Sequence, residues 1–336
     1  MDKVKLGMIG VGGWGKNLLR NFQEQPESEV VIASDLVESR LNAARAKYPG
    51  MAVTNDYRQI LRDPAIQGVV VATPGGSHFQ IVRDCLLAGK DVFVEKPMAL
   101  TGRDCRELCE LAAGKDLILM VGHLLLYHPG VIKLKDELQA GTIGDLYYLY
   151  SQRVNLGKIR RSENSFWTLA PHDISVAIFL IGLEPIAVSA RGESYIQEGV
   201  ADVVFATITF PNKIIAHIHV SWLDPHKIRR VTIVGSKKMI VFDDMDSTEP
   251  IKIYDKGVPE SLKYDTYGEY LHLRYGDVQI PWVEAGEPLR IETGHFVRCV
   301  KERKAPLTDG WNGLTVVKIL EAAQQSLEDG GRTIKL

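Results

Sequence analysis

Val4-Lys5-Leu6-Gly7-Met8-Ile9-Gly10-Val11-Gly12-Gly13-Trp14-Gly15-Lys16-Asn17-Leu18-Leu19 is the stretch on which the fold turns. Residues 4–9 are almost continuously apolar, as a strand buried on both faces must be. Glycines then stand at 10, 12, 13 and 15, and Leu18, Leu19 and Phe22 follow at helical spacing. A strand, a Gly-x-Gly-x-x-Gly turn and a helix, in that order, bring backbone amides to a helix N-terminus where a pyrophosphate can approach. Asp35 closes the next apolar run, Val30–Ser34, and stands 20 residues after Gly15. A carboxylate there accepts hydrogen bonds from ribose hydroxyls and repels a 2′-phosphate, so NAD is expected over NADP. Gly10, Gly12, Gly13, Trp14, Gly15 and Asp35 are the candidate dinucleotide contacts on this side.

Working outward, short apolar runs keep alternating with amphipathic segments. The sequence predicts strands at Val69–Ala72, Asp91–Val94 and Leu117–Val121, with helices at 14–23, 37–47 and 77–87. Thr101 is placed as the N-cap of a further helix running to Ala113. This rhythm predicts an α/β domain over residues 1–122, a doubly wound parallel sheet covered on both faces. In such a sheet ligands bind at the carboxyl ends of the strands. Thr73, Pro74 and His78 follow one strand end, and Glu95-Lys96-Pro97 lies at the next, so these residues complete the candidate cofactor set. Lys96 points a charge toward the nicotinamide end of a dinucleotide.

After Gly122 the pattern changes. Helices are expected near 130–140 and 172–181, followed by strands at Ile186–Ala190, Val203–Phe210, Ile214–Trp222, Arg230–Val234, Met239–Phe242 and Ile251–Tyr254. Strands joined by short turns such as Pro211-Asn212-Lys213 imply a large, mainly antiparallel open sheet, so residues 123–336 read as an α+β domain for substrate and self-association. Residues 243–286 read as mostly loops. The last helix, 314–327, is expected to pack back near the first domain.

Composition narrows the alternatives. The 336 residues are 45% hydrophobic and 24% charged, as in ordinary globular domains, and the net charge of −2 offers no field for nucleic acid. Cys85, Cys105, Cys109 and Cys299 show no zinc spacing, and His217 with His219 on one strand has no third ligand, so no metal is expected. Sparse cysteine, no secretory leader and no membrane-length apolar run point to a soluble cytoplasmic protein.

Together the glycine turn, Ala72-Thr73-Pro74 and Glu95-Lys96-Pro97 resemble the glucose–fructose oxidoreductase, inositol dehydrogenase and MocA (Gfo/Idh/MocA) family of NAD-dependent oxidoreductases. The family's second motif sets a His ten residues before a helix-closing Gly, which falls here on His172 and Gly182. The acidic residues usual four before and three after that His are Thr168 and Ser175 here, with Asp173 adjacent instead. Residues 122–182 resemble most closely the branch that oxidises UDP-N-acetylglucosaminuronic acid at C3. The match runs through Gly122-His123-Leu124-Leu125, Tyr127-His128-Pro129, Asn155-Leu156-Gly157-Lys158-Ile159-Arg160-Arg161, Glu163-Asn164, Trp167 and Ala170-Pro171-His172-Asp173.

That resemblance implies Asn155, Lys158, Arg160, Arg161, Asn164 and His172 at the substrate, and Lys96 and His172 as catalytic. Independently, guanidinium groups suit the pyrophosphate and carboxylate of a nucleotide-sugar acid, although a solvated basic loop would read the same way. His172 is the candidate base and Lys96 the candidate stabiliser of the alkoxide, with the reverse assignment open. The resemblance further implies a 3-keto product destined for diamino-sugar and surface polysaccharide synthesis, a dimer or tetramer, and, in some relatives, NADH re-oxidation by 2-oxoglutarate. Competing readings are a dehydrogenase of free sugars or inositols, an NAD-using glycosidase, and a non-catalytic NAD-binding protein.

Overall fold

Apolar runs and intervening amphipathic segments order themselves as β1 (Val4–Ile9), α1 (Gly15–Glu24), β2 (Ser28–Ser34), α2 (Glu38–Lys47), β3 (Ala52–Thr54), α3 (Arg58–Arg62), β4 (Gly68–Val71), α4 (His78–Leu87), β5 (Asp91–Glu95), α5 (Gly102–Gly114), β6 (Leu119–Gly122) and α6 (Pro129–Gln139). There follow β7 (Leu146–Val154), α7 (Ser165–Ile181), β8 (Ala187–Glu193), β9 (Val203–Thr209), β10 (Ile215–Ser221), β11 (Ile228–Gly235), β12 (Met239–Asp243), β13 (Ile251–Gly257), β14 (Tyr264–Asp265), β15 (Gly268–Leu271), β16 (Arg274–Gln279), α8 (Pro288–Glu302), α9 (Gly310–Glu328) and β17 (Ile334–Lys335). This computed structural model describes residues 3–161, 163–258, 264–265, 268–271 and 273–336.

The chain divides into two units, Met1–Tyr127 with Gly286–Lys318, and His128–Ala285 with Ile319–Leu336. In the first, β3-β2-β1-β4-β5-β6 form a wholly parallel sheet. Strand order reverses between β1 and β4, which opens a crevice at their carboxyl ends. Residues 68–71 are buried throughout, and so are 91–94, as helices on both faces require. Thr101 caps α5, its hydroxyl accepting from the Asp104 amide at 3.1 Å. The sequence reading drew one boundary, at residue 122; the structure returns residues 286–318 to the first unit. The cause is packing: Phe296 of α8 meets Phe22 of α1 and Phe93 of β5 edge-to-face, with centroids 6.0 and 5.8 Å away.

In the second unit the sheet order is β16-β13-β12-β11-β7-β10-β9-β8-β17, antiparallel except for β7 beside β10. Helix α7 packs on β7, β9 and β10. The structure departs from expectation in several places. Among the described residues of 243–286, strands rather than loops predominate: β13 and β16 pair within them, and β14 pairs with β15, while residues 259–263, 266–267 and 272 lie outside the described residues. Strand β16 is polar and exposed along its length, so no apolar alternation announced it. Helix α7 begins at Ser165, because the Asn164 side chain caps it through the Trp167 amide at 3.0 Å and Pro171 is absorbed into its buried interior. Neither the central strand β7 nor α8 was among the predicted elements.

Asp173 on α7 is buried and meets Arg153 of β7, Oδ2 to Nε at 2.6 Å. Removing one partner of such a pair strands a charge, whereas replacing both with apolar groups of like volume need not. Asp173→Ala should therefore cost about 3–5 kcal/mol, read as a large fall in the midpoint of thermal unfolding. Arg153→Met with Asp173→Leu should recover most of it.

Candidate active site

The glycine turn is dictated by close approach. Gly10 has φ +93°, a conformation side chains rarely adopt, and a Cβ there would lie 2.7 Å from the Ala72 carbonyl oxygen. A Cβ on Gly15 would collide with the Gly10 carbonyl oxygen. Above Gly13 there is open space. Asp35, buried at the end of β2, accepts from the Val11 amide at 2.9 Å through Oδ2 and from the Val37 amide at 2.9 Å through Oδ1. Arg40 lies 3.4 Å from the same carboxylate and reaches over Gly12. The sequence reading missed Arg40, which sits five residues beyond Asp35 on a weakly amphipathic helix. The bare amides, the open space and the fixed carboxylate fit a dinucleotide.

At the ends of β4 and β5 the chain is clamped by His78. Its ring nitrogens lie 2.7 Å from the Thr73 and Pro97 carbonyl oxygens, which ties the Thr73-Pro74 turn to the segment after Lys96. Lys96 and Pro97 are joined by a cis peptide. Ser77 Oγ donates to Thr73 Oγ1 at 2.8 Å. Glu95 accepts from the Trp14 indole at 2.7 Å, so two candidate cofactor residues from different strand ends meet directly. Desolvation pushes the Glu95 carboxyl up to about 7, while the Trp14 hydrogen bond and Lys96 pull the other way. His123, just after β6, is buried, and desolvation with the nearby Lys96 charge lowers it to about 3. It is a neutral imidazole at working pH.

In the second unit the substrate candidates spread over two places. Asn155 leaves β7, its amide donating to the Ser221 carbonyl at 3.2 Å. Lys158, Arg160 and Arg161 then lie exposed on the segment that follows. Arg160 pairs with Glu163 at 3.4 Å, and its carbonyl accepts from Gln197 at 2.9 Å. Asn164 is buried, its oxygen capping α7 and its amide donating to Gln324 at 2.7 Å. His172 is partly exposed on α7, one position before Asp173. Successive helix residues diverge by about 100°, so Asp173 turns to Arg153 while the imidazole takes another direction. His128 caps α6, accepting from the Gly130 amide at 3.0 Å. His219 stacks on Phe205, with centroids 4.3 Å apart. Among the described residues no group of three or more metal-ligating side chains gathers, and no helix is long and apolar enough to cross a membrane.

Residues 4–123 match the family described as "Oxidoreductase family, NAD-binding Rossmann fold", and residues 131–241 match the "GFO/IDH/MocA C-terminal domain". The chain belongs to the Gfo/Idh/MocA family and is an NAD-dependent oxidoreductase. Among its relatives, myo-inositol 2-dehydrogenase of Thermotoga maritima is 26% identical, over 99% of this chain and 98% of that protein. The scyllo-inositol 2-dehydrogenase (NAD(+)) of Bacillus subtilis is 24% identical, over 98% and 95%. The solved structure of UDP-N-acetylglucosamine 3-dehydrogenase GnnA from Acidithiobacillus ferrooxidans shares the fold, with a TM-score of 0.83 at 22% identity, over 98% and 99% of the two chains.

The Asp35 geometry makes a cofactor prediction. A 2′-phosphate would face a carboxylate that backbone amides hold in place. NADPH should bind more weakly than NADH by about 1–3 kcal/mol. Asp35→Ala should remove most of that difference and leave Arg40 to meet the phosphate. Titration of both reduced cofactors checks this, and equal affinities in the parent enzyme would refute it.

Proposed function

We propose that the chain oxidises a secondary hydroxyl of a nucleotide-sugar acid, specifically UDP-N-acetylglucosaminuronic acid at C3, to the 3-keto sugar. The supporting observation is the exposed Lys158-Ile159-Arg160-Arg161 segment leaving β7. A pyrophosphate and a carboxylate together need such cations, and a neutral polyol does not. That a protein of the same fold acts on UDP-N-acetylglucosamine at its 3-position is consistent with this substrate class. The inositol dehydrogenases among the relatives favour a second reading, oxidation of free inositols or sugars. Absorbance at the NADH band with a panel of nucleotide sugars and inositols separates them, and adding 2-oxoglutarate tests whether bound NADH is recycled.

NAD, when bound, supplies the hydride acceptor. In this reading His172 removes the hydroxyl proton, and Lys96 donates a hydrogen bond to the oxygen as it gains charge. The glycine turn, Asp35 and the His78-clamped strand ends hold and orient the dinucleotide. A second copy of the chain covers the open sheet face bearing Tyr150, Phe205, Ile215 and His219, because α7 packs on the strands of that sheet from the other side.

His172→Asn should keep NADH affinity and lower kcat by about 10²–10⁴; turnover near that of the parent would transfer the base role to Lys96. Arg161→Ala should raise KM for the acidic nucleotide sugar roughly 10- to 150-fold, the equivalent of about 1.5–3 kcal/mol, with kcat less affected. Arg160→Ala should do less, since Glu163 already engages that guanidinium. Light scattering should show an oligomer, and Phe205→Asp should reduce it to single chains.

A further inference from the structure

Three elements of the first unit descend in step. Trp14 at the head of α1, then Leu18 and Phe22 within it, follow at one-turn intervals. On β5, Glu95 stands two residues beyond Phe93 and shares its face. On α8, Glu292 stands one turn before Phe296. Phe22, Phe93 and Phe296 form a closed triangle with ring centroids 5.7, 5.8 and 6.0 Å apart. One step nearer the strand ends are Glu95 and Glu292, and the indole of Trp14, two turns before Phe22, reaches Glu95 and donates to it at 2.7 Å. Glu292 is fully buried, and neither of its oxygens has a hydrogen-bond partner among the described residues. Burial, and after it the Glu95 charge, raise its carboxyl well above the usual range.

The other titratable groups facing this layer do not supply the missing partner. Tyr127 bonds to Thr308 at 3.0 Å, and burial raises its hydroxyl far above neutrality. His123 faces Lys96 and stays neutral. His295 meets Tyr127 at a tilt, with centroids 5.3 Å apart, and accepts from the Leu307 amide at 3.0 Å. Lys96 follows Glu95 on the strand end. Ionised, Glu292 would have no donor and the Glu95 carboxylate nearby, whereas Glu95 accepts from the Trp14 indole, so the proton remains on Glu292.

We propose that Glu292 is a positioning residue of the dinucleotide site: it stands as a neutral acid with its O–H dipole turned to Glu95, so that Glu95 carries the negative charge that holds the Trp14 indole and ties the glycine turn to the strand end bearing Lys96. This rests on the dinucleotide reading of the turn and adds to it a residue about 200 positions distant in sequence from Glu95.

The test follows the Trp14 indole N–H resonance, assigned by its loss in Trp14→Phe, in the cofactor-free enzyme from about pH 5 to about pH 9, with NADH affinity measured on the same samples. Wild type should show one step as Glu95 ionises. Glu292→Gln, neutral and still a donor, should keep that midpoint and the affinity. Glu292→Leu, neutral without a donor, should move the midpoint up by about one pH unit and weaken NADH about ten-fold near neutral pH. An unmoved midpoint and affinity in Glu292→Leu would overturn the proposal, and so would a Glu292→Gln enzyme impaired as much as Glu292→Leu.

Should Glu292→Leu not fold, unfolding of wild type and Glu292→Gln decides. An acid raised in the folded state contributes stability in full below its unfolded value near 4.5 and loses it as pH climbs toward the folded value. Wild type should therefore fall progressively behind Glu292→Gln from about pH 5 to about pH 8, and parallel profiles would overturn the proposal. Wild type that binds no NADH at any pH would instead sink the dinucleotide reading itself.

Discussion

The backbone of β1 and the first turn of α1 pass so closely that no side-chain carbon fits between them, and the rest of the first unit depends on that approach. Gly15 lies against the Gly10 carbonyl, and Gly10 lies against the end of β4. With those two positions bare, α1 starts immediately beyond the strand, and its free amides face the crevice where strand order reverses. The same start sets the phase of the helix. Trp14 is delivered to Glu95, and Phe22, two turns later, is delivered to Phe93 and Phe296. Anion-binding geometry and hydrophobic packing are thus two ends of one helix placement.

Electrostatics in this unit are arranged by withdrawal of charge. His123 is held neutral by burial and by Lys96, and Tyr127 is held neutral by burial. Beside the Glu95 charge that holds Trp14, the charges presented at the strand ends then belong to Asp35, Arg40 and Lys96. Asp35 is bound to two backbone amides, so its direction is set by the main chain. In the second unit the corresponding economy is a buried pair: Arg153 consumes Asp173 and leaves His172 on the partly exposed side of α7.

What the sequence disclosed followed from how local each signal is. The glycine turn, Asp35, the parallel alternation and the Thr101 cap all declare themselves within a few residues, and the structure has them where they were read. Helix α8 was invisible because Glu292 and Gly294 interrupt its buried stripe of Leu289, Thr293, Phe296, Val297 and Val300. A buried acid is rare enough that periodicity counts it as solvent-facing. Strand β7 was missed because Tyr147, Tyr148 and Tyr150 blur its alternation, and the start of α7 was missed because a proline reads as a helix boundary although Pro171 lies inside. Arg40 and the Glu95–Trp14 bond depend on which side chains meet across elements, and one-dimensional spacing carries no record of that.

Because Phe296 closes the cluster begun by Phe22 and Phe93, the dinucleotide unit is not a contiguous piece of chain. During synthesis the first 127 residues emerge with an aromatic face of α1 and β5 uncovered, and its cover arrives only after β7 through β16 of the second sheet have been made. The unit that resembles an independent module therefore finishes late. A fragment cut at the end of β6 would display that uncovered face to its neighbours, which makes it a candidate for chaperone capture and a poor choice for separate expression.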